Sequence, residues 1–252
     1  VGAGVIFLAT IAFTSGKGGA DVLAAALTFA SFYVIVGIGQ MFVITTGPGN
    51  VDLSIPANIA LAGAVAMKVM DGSNVMILPG LAAVAGVGLA IGCFNFALIR
   101  ILSIPPIIAT LSASFLVQST AIAYGRGLRI KPPPLFAELA TGRLFGVPIL
   151  AIMALVVAER RLFGVPILAI MALVVAAVMA VVLRRTVYGS SVLAIGQNAR
   201  AAGLAGIRVE RVRFATYVLS AVFASLCGAL LAGFSGGASL NMGEEFLLAS
   251  IA

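Results

Sequence analysis

The residues best suited to chemistry in this sequence surround one carboxylate, Asp52. It lies in the segment GPGNVDLSIP, residues 47–56, between two long apolar runs. Gly and Pro break helices, and ionisable groups at membrane depth usually face a cavity or a polar path. Asp52 or Ser54 could also cap the next helix at the membrane surface, with Pro56 in its first turn. The pattern predicts a capped turn, a broken helix beside a polar path, or both.

Other features argue against catalysis by this chain. The sequence has no His, and its only adjacent acids, Glu244 and Glu245, do not face each other on a helix. No phosphate-binding GxxxxGK[S/T] loop occurs. Cys93 and Cys227 lie in apolar runs, which is typical of small core residues rather than a metal pair. We therefore expect neither an enzyme nor a metal or other cofactor in this chain.

A second polar segment, residues 184–213, contains six Arg against one Glu. Within it, Asn198 is a good N-cap, residues 199–205 can form a short helix, and Gly206 suits its C-terminal stop. A small-faced helix flanked by Arg could dock into a groove of another protein. The alternative is a basic loop held by anionic lipid headgroups.

The elements that carry these segments must be membrane helices. Of 252 residues, 62% are hydrophobic and 9% charged, whereas an average soluble domain has about 25% charged residues. The apolar runs are continuous and long enough to cross a bilayer, which takes about 20 residues. We predict one all-α membrane domain over residues 1–252, a polytopic bundle of transmembrane helices. The predicted spans are residues 1–14, 22–47, 53–70, 76–101, 105–124, 162–183 and 212–235.

The net charge of +7 is best explained by the membrane. Cationic residues gather in cytoplasmic loops, and no stretch combines basic residues with aromatic ones, so we expect lipid contacts and no nucleic acid partner. Residues 186–211 are predicted to form a cytoplasmic loop. Alternation of the spans then places residues 125–147 outside, although that segment also carries positive charge.

Two further features concern the extent of the chain. Residues 143–158 are identical to residues 161–176, and we interpret the first copy as an artefact rather than a recent duplication. The sequence opens inside an apolar run and closes at the start of another, residues 244–252. We therefore expect a chain truncated at both ends.

Several polar residues within or beside the spans are candidates for a polar path. Hydrogen bonding between helices is the alternative explanation for each of them. The candidates are Gln40, Asn50, Asp52, Ser54, Asn95, Ser112 and Gln118.

These motifs occur in an order that resembles a known family. GNVDLSIPANIALAGAVA (residues 49–66), PPIIATL (105–111) and YGSSVLAIGQNARAAGLAGIRVERVR (188–213) are similar to segments of the ribose-type sugar permeases of ATP-binding cassette (ABC) transporters, within the branched-chain-type permease superfamily. The third segment resembles the cytoplasmic coupling loop that seats on the ATPase subunit. By this resemblance the coupling residues are Asn198, Ala199, Arg200, Ala201, Ala202, Leu204, Gly206 and Ile207.

The resemblance implies the fold of a type II-like ABC importer permease with about ten spans in a full-length chain. It implies a multi-pass protein of the bacterial inner membrane that pairs with a second permease copy. Its other partners would be a cytoplasmic ATP-binding subunit, which holds ATP and Mg, and an external solute-binding protein. The solute would be a monosaccharide or a similar polar molecule. A branched-chain amino-acid permease, or a stand-alone secondary transporter or channel, remain the alternatives.

Overall fold

The structure is a computed structural model that describes residues 19–127, 130–141 and 166–251. These ranges contain helices and no β-strand. The helices are α1 (Gly19–Thr45), α2 (Ile55–Met70), α3 (Ile77–Ile101), α4 (Pro106–Gly125), α5 (Pro134–Thr141), α6 (Ile167–Arg185), α7 (Val187–Leu204), α8 (Val209–Phe234) and α9 (Glu245–Ile251). A short 3-10 helix, Asn74–Met76, leads into α3. The predicted all-α bundle is confirmed.

Five of these helices are long and apolar enough to cross a membrane: α1, α3, α4, α6 and α8. The prediction of a full span over residues 53–70 is wrong in one respect. α2 has 16 residues, so it extends for about 24 Å, less than the roughly 30 Å of a hydrocarbon core. It is instead a mostly buried helix inside the bundle. The predicted span 1–14 and the first repeat copy, residues 143–158, lie outside the described residues.

The helix boundaries differ from the predicted ones by a few residues, for local reasons. α6 begins at Ile167 and not at residue 162, because Pro166 directly precedes it with extended backbone, ψ 139°. The short helix expected over residues 199–205 is present after a break at Asn198, and a further helical segment, which was not expected, precedes it, so that α7 begins at Val187. The Thr186 hydroxyl accepts from the Gly189 N–H and caps this earlier start. The region 125–147 contains helix α5, which the sequence analysis treated as loop.

α8 is the central helix, and it packs against α1, α2 and α3. Small residues allow this close packing. A Cβ built on Gly39 of α1 would lie 2.9 Å from the Cα of Ser220 in α8, so only glycine permits the two backbones to approach this closely. Ser220, Ala221, Ala224 and Ser225 are all buried on α8.

The connections of the bundle lie at two ends. The arginine-rich end contains the end of α1, the α3–α4 connection and residues 186–208, since Gly196 lies against Thr45 and Arg100 pairs with Glu210. The opposite end contains Asn74, whose side chain accepts from the Leu135 N–H. Residues 125–127 and 130–141 therefore lie at the end away from residues 186–208.

Two helices begin inside the bundle instead of at an end. Asn58, in the first turn of α2, donates to the Ala221 carbonyl at 2.8 Å. Ala221 is about 18 Å along α8 from its first residue, given 1.5 Å per residue. After α8 the chain turns back inward: Gly243, just before α9, packs on Pro56, and Phe246, in the first turn of α9, packs on Phe32. The N-terminal ends of α2 and α9 thus lie near each other in the interior.

Candidate functional site

Asp52 is fully buried at the centre of a hydrogen-bonded polar cluster. Its Oδ1 accepts from the Ser54 N–H at 3.0 Å, the Ser54 hydroxyl at 2.6 Å and the Asn95 Nδ2 at 3.3 Å. Its Oδ2 accepts from the Ser220 hydroxyl at 3.2 Å. The Asp52 N–H donates to Gln40 Oε1 at 3.2 Å. The carboxylate therefore joins α3 and α8 to the segment between α1 and α2, and the Asp52 backbone N–H joins that segment to α1.

The sequence places Asp52 there by breaking a helix. α1 ends at Thr45, and Gly47 and Gly49 adopt positive φ angles of 126° and 79°, which let the chain turn back into the bundle. Thr110 of α4 then holds the segment, because its hydroxyl accepts from the Leu53 N–H at 3.1 Å and donates to carbonyls that include that of Val51. The result is a polar segment, residues 46–54, between α1 and α2, with its turn at residues 48–49 exposed and Asn50, Asp52 and Ser54 buried in the protein.

The expected helix cap is only partly correct. Pro56 lies in the first turn of α2, as predicted. Ser54 is the N-cap residue, but its side chain makes no capping hydrogen bond and donates instead to Asp52. Ser54 and Asp52 have no exposed surface, so the turn is not an exposed cap at the end of the bundle. The geometry is that of a broken helix with a buried polar break.

The structure gathers some of the candidate path residues and separates others. Gln40, Asp52, Ser54 and Asn95 are bonded to one another, while Asn50 is buried in the same segment. Two candidates on α4 lie elsewhere. Ser112 is exposed, and Gln118 donates to the Leu240 carbonyl at 3.2 Å.

Sequence reasoning missed several members of this polar interior. Ser220 bonds directly to Asp52. Next to it, Asn58 Oδ1 accepts from the Ser225 hydroxyl at 2.7 Å, which ties α2 to α8. Asn58 could have been found as an amide within an apolar run, the signal that identified Asn95.

The cluster is closed but not fully satisfied. Gln40 Nε2 and Asn95 Oδ1 are buried and have no hydrogen-bond partner among the described residues. A buried polar atom without a partner costs about 1–3 kcal/mol. These two atoms give the cluster one free donor and one free acceptor.

At the arginine-rich end, residues 198–206 form a capped helical turn, which we term the Asn198 turn. Asn198 interrupts α7 with φ −160° and ψ 103°, and its Oδ1 accepts from the N–H groups of Arg200 and Ala201, both at 3.0 Å. At the other end Gly206 has φ +88°. Gly206 donates to the Gly203 carbonyl and Ile207 to that of Ala202, both at 3.0 Å, which is a Schellman stop. The predicted cap and stop have this geometry.

The Asn198 turn presents an exposed surface with a small apolar face. Of the predicted coupling residues, Ala202 is buried, and Ala199 and Ile207 are partly exposed. The others are exposed: Asn198, Arg200, Ala201, Leu204 and Gly206. The Leu204 side chain has 87% of its surface exposed, which is unusual for Leu at the end of a bundle. The turn is thus apolar at Leu204 and cationic at Arg200.

α7 connects this surface to the end of α1. The Tyr188 ring stacks on Phe42 with centroids 5.9 Å apart, and burial raises the pKa of Tyr188 to about 12. Gly196 packs against the Thr45 carbonyl. Thr45 is the last residue of α1, directly before the segment that carries Asp52. A displacement of α7 would therefore be transmitted by packing to the polar cluster.

These features define a polytopic membrane protein. It has apolar helices long enough to span a bilayer, a buried polar break between two helices and a helical turn at one end. Residues 22–252 match the family model of the permease component of branched-chain amino acid transport systems. The chain belongs to this permease family, and the resemblance found in the sequence is confirmed.

Several curated relatives are named as sugar permeases. The fructose import permease of Bifidobacterium longum is 28% identical over 228 residues, which are 88% of this chain and 58% of that protein. The galactofuranose transporter permease of Escherichia coli is 31% identical, over 85% of this chain and 57% of its own length. The ribose import permease of Bacillus subtilis is 30% identical, over 86% of this chain and 62% of its own length. The chain thus spans about three fifths of the length of these relatives. No solved structure matches the chain significantly.

Proposed function

We propose that this chain is the membrane-spanning permease of an ATP-driven importer that carries a monosaccharide or a similar polar solute. One observation carries the proposal: a capped, exposed helical turn projects from one end of a membrane bundle and packs through α7 onto the break that holds Asp52. Family membership supports the class of protein. The chain itself is a transport subunit and not an enzyme, and ATP and Mg are bound by its partner.

The ATP-binding subunit binds the Asn198 turn. The Asn198 cap and the Gly206 stop fix the backbone of the turn, so the turn can move as a rigid unit. The exposed Leu204 side chain can insert into an apolar groove of the ATP-binding subunit. In this arrangement residues 186–211 face the cytoplasm. The external loop at the opposite end, residues 125–147, faces the solute-binding protein.

Movement of the turn would reach the polar cluster through three contacts. α7 packs on Thr45 and Phe42, the segment after Thr45 carries Asp52, and Asp52 binds Ser220 of α8. In the described conformation the cluster closes on itself. A path for a polar solute requires these hydrogen bonds to open, so that hydroxyl groups of the solute replace those of Ser54 and Ser220. Rigid-body motion between two such states is the usual basis of alternating access.

The remaining predicted path residues and partners complete the proposal. Ser112 and Gln118 lie on α4, away from the Asp52 cluster, and in a homodimer α4 would face the second permease copy, so that these two residues border the path on that side. Exposed apolar side chains on α4 and α6 provide the surface for that copy and for lipid. The membrane would be the bacterial plasma membrane, as the family implies.

The solute is the open choice within this proposal. The family description names amino acids, whereas the relatives are named for fructose, galactofuranose and ribose. A cluster rich in hydroxyl and amide groups, with no cationic side chain bonded to Asp52 among the described residues, suits a neutral polyol more than an amino acid carboxylate. We therefore favour a sugar.

Co-purification with the cognate ATP-binding subunit tests the docking step. Leu204→Asp should reduce the amount of ATPase retained at least about tenfold, because it places a charge in an apolar contact without disturbing the interior. Val75→Asp is the matched control, since Val75 is 84% exposed at the opposite end and should not affect ATPase retention. Equal loss in the two variants, or no loss in either, would contradict docking at the Asn198 turn.

Uptake by the assembled complex tests the solute. Proteoliposomes that contain the permease, the ATPase and the solute-binding protein should accumulate a radiolabelled monosaccharide only when ATP is enclosed. Accumulation of leucine in place of sugar would move the assignment to an amino acid importer. Accumulation by the permease alone without ATP would contradict the importer class.

A further inference from the structure

A cavity at the arginine-rich end has no role in the proposed transport cycle. It lies between the α3–α4 connection, the start of α8 and residues 48–50, and its volume is about 640 Å³. Small-molecule sites commonly have volumes of roughly 300–1,000 Å³. Its polar lining includes Asn50, Arg100, Glu210, Arg213 and Tyr217.

The charges in this cavity leave one cation without a counterion. Arg100 Nε lies 3.4 Å from Glu210 Oε2, and both side chains are at least half exposed, so this pair occupies the solvent-facing part of the wall. Arg213 forms no ion pair among the residues the structure describes. Its Nε is buried without a hydrogen-bond partner in the described part of the chain. An unpaired buried guanidinium N–H is unfavourable unless a ligand binds it.

A second unsatisfied group lies deeper in the same cavity. The Tyr217 side chain is 1% exposed, and its hydroxyl has no partner within the described ranges. Tyr217 follows Arg213 by four residues on α8, so the two side chains project from the same face of the helix. Asn50 contributes an amide from the adjacent segment. Three hydrogen-bond donors therefore line one cavity: the Arg213 guanidinium and the Tyr217 hydroxyl on α8, and the Asn50 amide.

We propose that this cavity, which we call the Arg213 cavity, binds a phosphate group carried by a small organic molecule or by a lipid. A phosphate group presents at least three acceptor oxygens that point in different directions, which suits guanidinium, phenol and amide donors that approach from α8 and from residues 48–50. Phe96 and Ile107 line the apolar part of the cavity, which has room for the organic group beside the phosphate. The proposal does not depend on an ATPase partner.

Calorimetric titration of the purified chain in detergent tests the site with inorganic phosphate and ribose 5-phosphate as probes. Arg213→Gln should weaken phosphate binding about tenfold or more, because it removes a charged hydrogen bond. Arg211→Gln is the matched control, since Arg211 is exposed two residues away on the same helix and does not line the cavity. Arg213→Lys keeps the charge and should restore part of the affinity.

A second measurement distinguishes the lipid from the soluble ligand. Nanodiscs of zwitterionic lipid with a minor fraction of phosphatidylglycerol are analysed for the lipid retained by each variant. Loss of phosphatidylglycerol in Arg213→Gln but not Arg211→Gln assigns the site to a headgroup. Loss of ribose 5-phosphate binding with the same pattern assigns it to a soluble phosphate.

If Arg213→Gln does not fold, Tyr217→Phe tests the same cavity. It removes only the hydroxyl and should weaken whichever probe binds by several-fold. The proposal is overturned when the wild-type chain binds none of inorganic phosphate, ribose 5-phosphate and phosphatidylglycerol, or when binding is the same in Arg211→Gln and in the cavity variants. Transport by the assembled complex can persist in that case, so the two proposals fail separately.

Discussion

Substitution of Asp52 by Ala and by Asn separates two roles of the buried carboxylate. Ala removes both oxygens and with them the acceptor of the Ser54 N–H at 3.0 Å and of the Ser220 hydroxyl at 3.2 Å. A buried donor left unpaired costs about 1–3 kcal/mol, so loss of these contacts should lower the free energy of unfolding by about 3 kcal/mol. Asn keeps Oδ1, which accepts three of the four side-chain hydrogen bonds.

Asn should therefore change the free energy of unfolding by no more than about 1 kcal/mol, because the Ser220 hydroxyl can turn to accept from the new amide and no buried charge remains. Equilibrium unfolding in mixed detergent micelles measures both variants. Glu138→Ala is the control. Because Glu138 is exposed on α5, this substitution should change the free energy of unfolding by no more than about 0.5 kcal/mol. If Asp52→Asn lowered the free energy of unfolding as much as Asp52→Ala does, the role of Asp52 as a hydrogen-bond acceptor would be refuted.

Three further substitutions test the surrounding structure. Asn198→Ala should destabilise the Asn198 turn by about 1 kcal/mol and speed amide exchange at residues 199–204, whereas Asn198→Asp should not. Tyr188→Phe should raise the free energy of unfolding by about 1 kcal/mol, because its buried hydroxyl has no partner in the described structure, while Tyr188→Ala should lower the melting temperature by loss of the Phe42 stack. Gly39→Ala should cost about 1–3 kcal/mol by forcing α1 from α8, whereas Gly37→Ala, where a Cβ meets nothing within 4 Å, should be neutral in the same unfolding assay.

Much of the bundle could be predicted because apolar length alone specifies a membrane helix. α3, α4 and α8 lie within a few residues of their predicted bounds. The depth at which α2 begins could not be predicted, since it depends on the pairing of Asn58 with Ala221 and Ser225 of α8. The first segment of α7 was missed although its start is capped locally by the Thr186 hydroxyl.

The polar cluster was predictable from Gln40, Asp52, Ser54 and Asn95, but Ser220 was missed. Gln40, Asp52 and Asn95 are conspicuous because large polar groups in apolar helices need partners. Ser and Thr can instead bond to the carbonyl four residues earlier on their own helix, as Ser119 does to Phe115. Ser220 bonds to Asp52, and no local sequence feature separates these two serines.

The side of the membrane on which the Asn198 turn lies can be measured by cysteine labelling in cells that lack the ATPase subunit, so that no partner covers the turn. In a background with Cys93→Ser and Cys227→Ala, single variants Arg200→Cys and Val75→Cys place a thiol at exposed positions on the two ends. A membrane-impermeant maleimide should label Val75→Cys in intact cells and Arg200→Cys only after permeabilisation. Labelling of Arg200→Cys in intact cells would place the turn outside and contradict its role as the contact for a cytoplasmic ATPase.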